Sequence, residues 1–224
     1  MVEALDAIEC RVLGVLIEKS LTQPGSYPLT INAIVQGANQ KQNRDPIMEL
    51  EDDDVKAALA HMQTLHLIEQ APPLPGARAQ RFAHNVVAKL TWDRREQAVM
   101  AELMLRGKQT PGELRTRASR MAALTDVPAV LNVLQELAAY NPPYVVELSR
   151  EPGRTVTRYS HCMMPDDGEE DPSDDGLTAA PVRERTEPVD GAAMAEERSL
   201  RQRIELLENR VGILEKMIQS SRNQ

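Results

Sequence analysis

The sequence has few aromatic residues. It holds one Trp, one Phe and four Tyr in 224 residues, so a core must be filled by Leu, Val, Ile, Met and Ala. Stacking platforms for single-stranded nucleic acid are correspondingly scarce. Cysteine is almost absent: Cys10 falls inside a helical pattern and Cys162 far along the chain. That excludes a disulfide framework and points to a reducing cytoplasm. No stretch approaches the roughly 18 uninterrupted apolar residues of a membrane helix. Met1–Ala7 has neither the basic nor the apolar segment of a signal peptide. Enzyme signatures are missing: there is no glycine-rich phosphate loop, HExxH, GxSxG or paired CxxC. The four histidines, His61, His66, His84 and His161, do not fall at metal-ligand spacing. The chain is expected to be non-enzymatic, with no metal and no cofactor.

What is present is patterned. Leu5, Ile8, Val12, Val15 and Leu16 recur at helical spacing up to Ser20, and Thr22–Ser26 is turn chemistry. Thr30 can cap a second short helix carrying Ile31, Ile34 and Val35. The polar loop Asn39–Pro46 follows. A third helix opens in Glu51-Asp-Asp-Asp54, with its carboxylates at the favourable end of the macrodipole. It carries Val55, Leu59, Met62 and Leu65 inward. Leu67–Gln70 and Arg81–Val86 read as two strands around a Pro/Gly-rich loop. Residues 91–161 repeat this order. Thr91 is the expected cap of a helix through Trp92, Val99 and Leu105. Thr110-Pro-Gly-Glu113 is a capping box with proline at the first helical position. A third helix starts near Asp126, and Tyr144–Leu148 and Thr155–Tyr159 alternate as strands joined across Pro152-Gly153.

Three short helices closed by a hairpin make the winged-helix form of the helix-turn-helix. The expected fold is therefore mostly α with small β-wings: two tandem winged-helix domains (1–90 and 91–161), an acidic flexible linker (162–193) and a coiled-coil helix (194–224). Leu16-Ile-Glu-Lys-Ser20, Tyr27-Pro-Leu-Thr-Ile-Asn32, the Asn39–Pro46 loop, Leu105–Arg115 and Glu151–Tyr159 together resemble the YceH family of uncharacterised bacterial proteins. The resemblance covers roughly residues 5–161. It implies a tandem winged-helix fold, and it implies no activity and no catalytic residues.

Charge separates the functional alternatives. The net charge is −8, and residues 91–161, with 10 basic and 8 acidic side chains, are the only net-basic third. The candidate nucleic-acid contacts are Arg115, Arg117 and Arg120 on or just after the second helix of that half. Arg150, Arg154 and Arg158 on its hairpin, and Lys41 and Arg44 in the Asn39–Pro46 loop, complete the set. Against them stand the third helices. One presents four carboxylates, and the other, Val127–Ala139, has no Lys or Arg, although phosphate neutralisation supplies most DNA affinity. The amides of the Asn39–Pro46 loop are expected to tie the loop to the core through side-chain to backbone bonds. The leading expectation is a DNA-associated regulator or architectural factor binding double-stranded DNA. The alternative is a protein–protein adaptor that uses the winged-helix surfaces and binds no DNA.

Pro165–Ala193, rich in carboxylates and prolines, cannot bury enough apolar surface to fold alone. Beyond it, Leu200, Ile204, Leu207, Val211, Leu214 and Ile218 alternate at spacings of four and three. With β-branched residues at a and Leu at d, this favours a parallel homodimer. Glu196–Arg201, Arg203–Glu208 and Arg210–Glu215 fall at complementary flanking positions. Three heptads are short, so dimerisation should be weak and concentration-dependent. Sedimentation should show dimer at high micromolar protein, and truncation before Met194 should abolish it; a full-length monomer at that concentration removes the expectation.

Overall fold

Asp6 starts the first helix, α1 (Ala7–Thr22). Its carboxylate accepts from the Glu9 N–H at 2.7 Å, and Glu9 accepts from the Asp6 N–H at 2.9 Å, a reciprocal cap. The structure, a computed structural model, describes residues 4–72, 79–148 and 156–164. All of these fall in one compact unit spanning residues 1–169. Every residue of α1 from Glu9 to Glu18 is buried. The helix is enclosed on all sides, so the single apolar stripe read from the sequence is only part of its buried surface.

After a 3₁₀ turn at Pro24–Ser26 come β1 (Leu29–Thr30) and α2 (Ile31–Ala38). The Thr30 hydroxyl caps α2 by accepting from the Ala33 N–H at 3.3 Å, as its position predicts. Helix α3 (Asp52–Thr64) opens on the acidic run, with Glu51 and Asp54 capping each other. Strands β2 (Ile68–Gln70) and β3 (Arg81–His84) follow. The three strands form an antiparallel sheet in the order β1-β3-β2, pairing Leu29 with Phe82 and Ile68 with His84. Strand β1 is too short to carry a visible alternation.

The end of the first hairpin differs from expectation. Residues after His84 do not extend the strand; Val86–Leu90 form a short helix, α4, which Thr91 ends in the left-handed region (φ 62°). The next helix, α5 (Arg94–Arg106), is capped by Asp93, which accepts from the Arg95 and Glu96 N–H groups. A carboxylate accepting two orphan N–H groups is the stronger cap, so Asp93 takes the role expected of Thr91.

Helix α6 (Pro111–Ala118) begins at Thr110 with the expected capping box, and α7 (Val127–Ala138) begins at Asp126. Strands β4 (Val145–Glu147) and β5 (Tyr159–His161) pair antiparallel, and Gln109 bridges to Tyr159 on the far edge of β5. The second hairpin strand thus lies later than the Thr155–Tyr159 segment expected. Residues 162–164 also belong to the folded unit: Met163 is buried, and its carbonyl accepts from the Leu5 N–H at 2.8 Å. The Pro152-Gly153 turn, Arg150, Arg154, the linker from Pro165 and the heptad residues Leu200–Ile218 lie outside the described residues. Within them the protein is mostly helical, with small antiparallel strands. The order helix, short extended segment, helix, helix, hairpin occurs in both halves, joined by α4.

One continuous apolar core runs through both halves, and α1 packs most extensively on α5. Gly14 permits this approach: a Cβ there would lie 3.0 Å from Leu105 and 3.2 Å from Met104. In the second half Trp92 is buried, edge-on to Tyr144 at 5.0 Å, which in turn meets Tyr140 at 4.9 Å. A Cβ on Gly37 would meet Val15 Cγ1 at 2.7 Å, closer than packed atoms allow. Gly37→Ala should therefore destabilise the protein by about 1–3 kcal/mol. Gly25→Ala, with nothing within 4 Å, should change little. Paired urea denaturation curves check the contrast.

Candidate functional site

Two carboxylates enclosed between the halves organise the most polar region of the interior. Glu18 lies near the end of α1 and Glu102 within α5, with side chains 1% and 0% exposed. Charge at such depth must be paired. Glu18 accepts from Arg44 Nη2 at 2.7 Å and from Arg120 Nη2 at 2.6 Å. The same Arg120 nitrogen donates to Glu102 at 2.8 Å, and Arg106 Nε lies 3.2 Å from Glu102. Burial pushes the Glu18 carboxyl up, but Arg44, Arg120 and Lys19 together outweigh it and hold its pKa below the usual carboxylate range. Beside this network the Gln109 side chain donates to the Glu102 backbone carbonyl at 2.9 Å and accepts from Arg117 at 2.7 Å.

The Asn39–Pro46 loop is fastened to the same region. Asn39 makes a two-point contact with the Leu50 backbone, both bonds 2.9 Å. Arg44 also donates to the Gly37 carbonyl, and Arg11 donates to the carbonyls of Ala38 and Pro46. Burial first, and then Arg44, lower the Arg11 pKa to about 10, so the group stays protonated at neutral pH. From the loop, the Asp45 N–H caps the Leu105 carbonyl at 3.0 Å and Asn43 accepts from Arg106 at 2.7 Å. The loop is thus tied to the core through side-chain to backbone bonds, and it also bridges to the end of α5.

This geometry divides the candidate cations. Arg44, with a side chain 1% exposed, is an internal ion-pair partner and offers no surface to phosphate. Arg120 is half-exposed but bonded to two carboxylates. Arg117 is held between Gln109 and Glu113; burial pushes the Glu113 carboxyl up, but the Thr110 hydrogen bonds, Arg117 and half-buried Arg158 outweigh it and hold its pKa below the usual range. Arg115 is exposed, with Nη1 3.4 Å from the Thr125 carbonyl, and Lys41 is exposed. Arg150 and Arg154 lie outside the described residues. The described members of the set therefore do not converge on one basic face. Glu18, Glu102, Arg106, Gln109 and Arg11 were not among the candidates, although Glu18 directly after the apolar stretch Val12–Ile17 and Glu102 inside Met100–Leu105 are themselves a signal of buried pairing.

The outward residues differ in character. The start of α3 exposes Glu51, Asp52, Asp53 and Asp54, while α7 exposes Asn132, Gln135 and Glu136. Val127 and Val146 are 37% and 39% exposed, and Val156 is 56% exposed. Among the described residues no three His, Cys, Asp or Glu side chains gather as a metal site. No described helix is long and apolar enough to cross a membrane. His61 meets Glu9, and burial holds His84 and His161 near pKa 4.

A family model described as a protein of unknown function, DUF480, matches residues 5–154. The chain belongs to this family. The chain is 44% identical over 190 residues to a UPF0502 protein of Geobacter sulfurreducens, covering 85% of the chain and 81% of that relative. It is 40% identical over 210 residues to a UPF0502 protein of Citrobacter koseri, covering 91% and 95%. To the UPF0502 protein YceH of Escherichia fergusonii it is 38% identical over 221 residues, covering 96% and 95%. The resemblance read from the sequence is thereby established, and the family is an uncharacterised one.

The depressed pKa of Glu18 fixes a pH dependence. Its contribution to stability is complete above the ordinary Glu value of about 4.3 and is lost as pH falls through the lower folded value. Glu18→Gln should destabilise the protein at pH 7, where Arg44 and Arg120 lose their anionic partner, and should flatten the acid limb below about pH 4. Thermal midpoints measured from pH 7 to pH 2 check both effects; parallel curves for the two proteins refute the assignment.

Proposed function

We propose that each half of the compact unit is a winged helix and that the protein is a non-enzymatic adaptor. In this reading it binds other proteins through the outward faces of α3, α7 and the second hairpin. The observation that carries it is the disposition of charge. In a winged helix the third helix is the one that enters the major groove. Here α3 opens with four exposed carboxylates and α7 exposes only amides, Glu136 and apolar atoms. Carboxylates at that position repel phosphate. Exposed Val127, Val146 and Val156, beside neutral polar groups, suit a protein surface better.

Among the described residues, the contact between a serine and a histidine supports the non-catalytic reading. Ser20 Oγ lies 2.8 Å from His84 Nε2, and it donates to the Ile17 carbonyl at 2.8 Å. A hydroxyl that donates to the carbonyl leaves its oxygen to accept from Nε2, and a ring that donates there does not act as base toward the serine. In the same reading the protein is cytoplasmic, and its C-terminal heptads pair two copies, which doubles the number of docking faces per molecule.

Binding to double-stranded DNA is the second reading. Exposed Arg115 and Lys41, with half-buried Arg158 on the second hairpin, favour it. The two separate in a titration of labelled duplex with the full-length protein at low salt. No saturable binding is expected up to about 100 μM, the weak end of ordinary non-specific affinity. Micromolar binding that weakens steeply with salt, and is reduced by Arg115→Ala with Arg158→Ala, overturns the adaptor reading.

A further inference from the structure

Several bonds cross between the halves, and they are not alike. The Asp45 N–H to the Leu105 carbonyl, Arg106 to Asn43, Arg94 to the Leu21 carbonyl, and the Leu5 N–H to the Met163 carbonyl all end on neutral acceptors. Losing one of them costs a hydrogen bond. Arg120 is different. It arises just after α6 in the second half, and its single Nη2 bonds both Glu18 of the first half and Glu102 of the second. Two buried carboxylates therefore face each other across one nitrogen. Each has a cation from its own half as well: Arg44 for Glu18 and Arg106 for Glu102. Without Arg120 each carboxylate stays paired within its half, and what remains between the two carboxylates is repulsion in a poorly screened interior.

We propose that Arg120 is a latch that holds the two halves at one fixed mutual orientation, so that the outward faces of α3 and α7 are presented together as one composite surface. The inference does not depend on whether those faces meet protein or DNA. The groups facing the latch are Glu18, Lys19, Arg44, Glu102, Arg106 and Arg117. At neutral pH Glu18 is ionised, so the latch is closed under ordinary conditions. Arg120 is also the member whose side chain is 42% exposed, which leaves it within reach of a competing anion while Glu18 and Glu102 stay enclosed.

The test uses the full chain in a Cys162→Ser background, with Ala57→Cys on α3 and Gln135→Cys on α7. Both positions are exposed, and native Cys10 is buried. Spin labels at the two sites report the distance distribution between the halves. A single narrow distribution is expected for the parent protein, and a broadened or two-component one for Arg120→Ala. Adding Glu102→Gln to Arg120→Ala should narrow the distribution again, because it removes the facing charge. A packing role for Arg120 would not respond to that change. Amide exchange along α1 and α5 should rise at least about tenfold in Arg120→Ala, with Arg95→Ala as a surface control that changes nothing. If Arg120→Ala fails to fold by circular dichroism, Arg120→Lys keeps the test open, since one ammonium cannot bridge the two carboxylates and also keep the Nε bond to the Arg117 carbonyl, and should broaden the distribution partly. Distributions and exchange indistinguishable from the parent in whichever variant folds would overturn the latch.

Discussion

Glu18 and Glu102 constrain nearly everything else in the fold. A carboxylate removed from water is tolerated only with cations and hydrogen bonds around it, and both sit on helices closed in on all sides. The cations come from three separate places: the loop before α3, the end of α5, and the turn after α6. Those places must therefore converge. The Asn39–Pro46 loop, long and polar, has its physical reason here, because it carries Arg44 inward and seats Asn43 and Asp45 on the end of α5. Gly14 lets the helices approach closely enough for the convergence to close.

The same arrangement changes what the charge of the second half means. Its excess of basic side chains reads from the sequence as a surface available to an anion. In the structure Arg106, Arg117 and Arg120 are directed at Glu102, Gln109, Glu113 and Glu18. A net charge counts side chains, whereas a polyanion responds to those facing solvent. Once the internal pairs are set aside, the outward surface keeps its acidic turn on α3 and a nearly neutral α7. That disposition of charge is what the proposed adaptor reading rests on.

Local chemistry was legible wherever a short segment decides the outcome alone. Thr30, Thr110 and Asp126 each cap the helix expected of them, because a cap depends on three or four neighbouring residues. The apolar spacings placed α1, α3, α5 and α7 correctly to within a few residues. Three features needed the folded chain. Thr91 lost its expected role to Asp93, two residues away, since a carboxylate satisfies two N–H groups where a hydroxyl satisfies one. The short extended segments at Leu29–Thr30 and Gln109 have too few residues to alternate, and they exist only through pairing with strands more than 45 residues later. The ion network was invisible because its members lie up to 102 residues apart. Its trace was present all the same, as apolar residues on both faces of α1 leading up to Glu18 and on α5 around Glu102.

The enclosure of α1 also sets an order of events during synthesis. The face of α1 that α5 covers cannot be buried until residues 94–106 have left the ribosome, and its start is not secured until Met163 offers its carbonyl to Leu5. The first half therefore emerges with its central helix half-clothed, exposing apolar surface and a carboxylate meant for burial. Contacts so distant along the chain slow folding, and transiently bare apolar surface invites association with other chains or with chaperones. A nascent chain halted before Arg120 would carry Glu18 with Arg44 and Lys19 but without its third cation, and so would hold the first helix more loosely than the finished protein does.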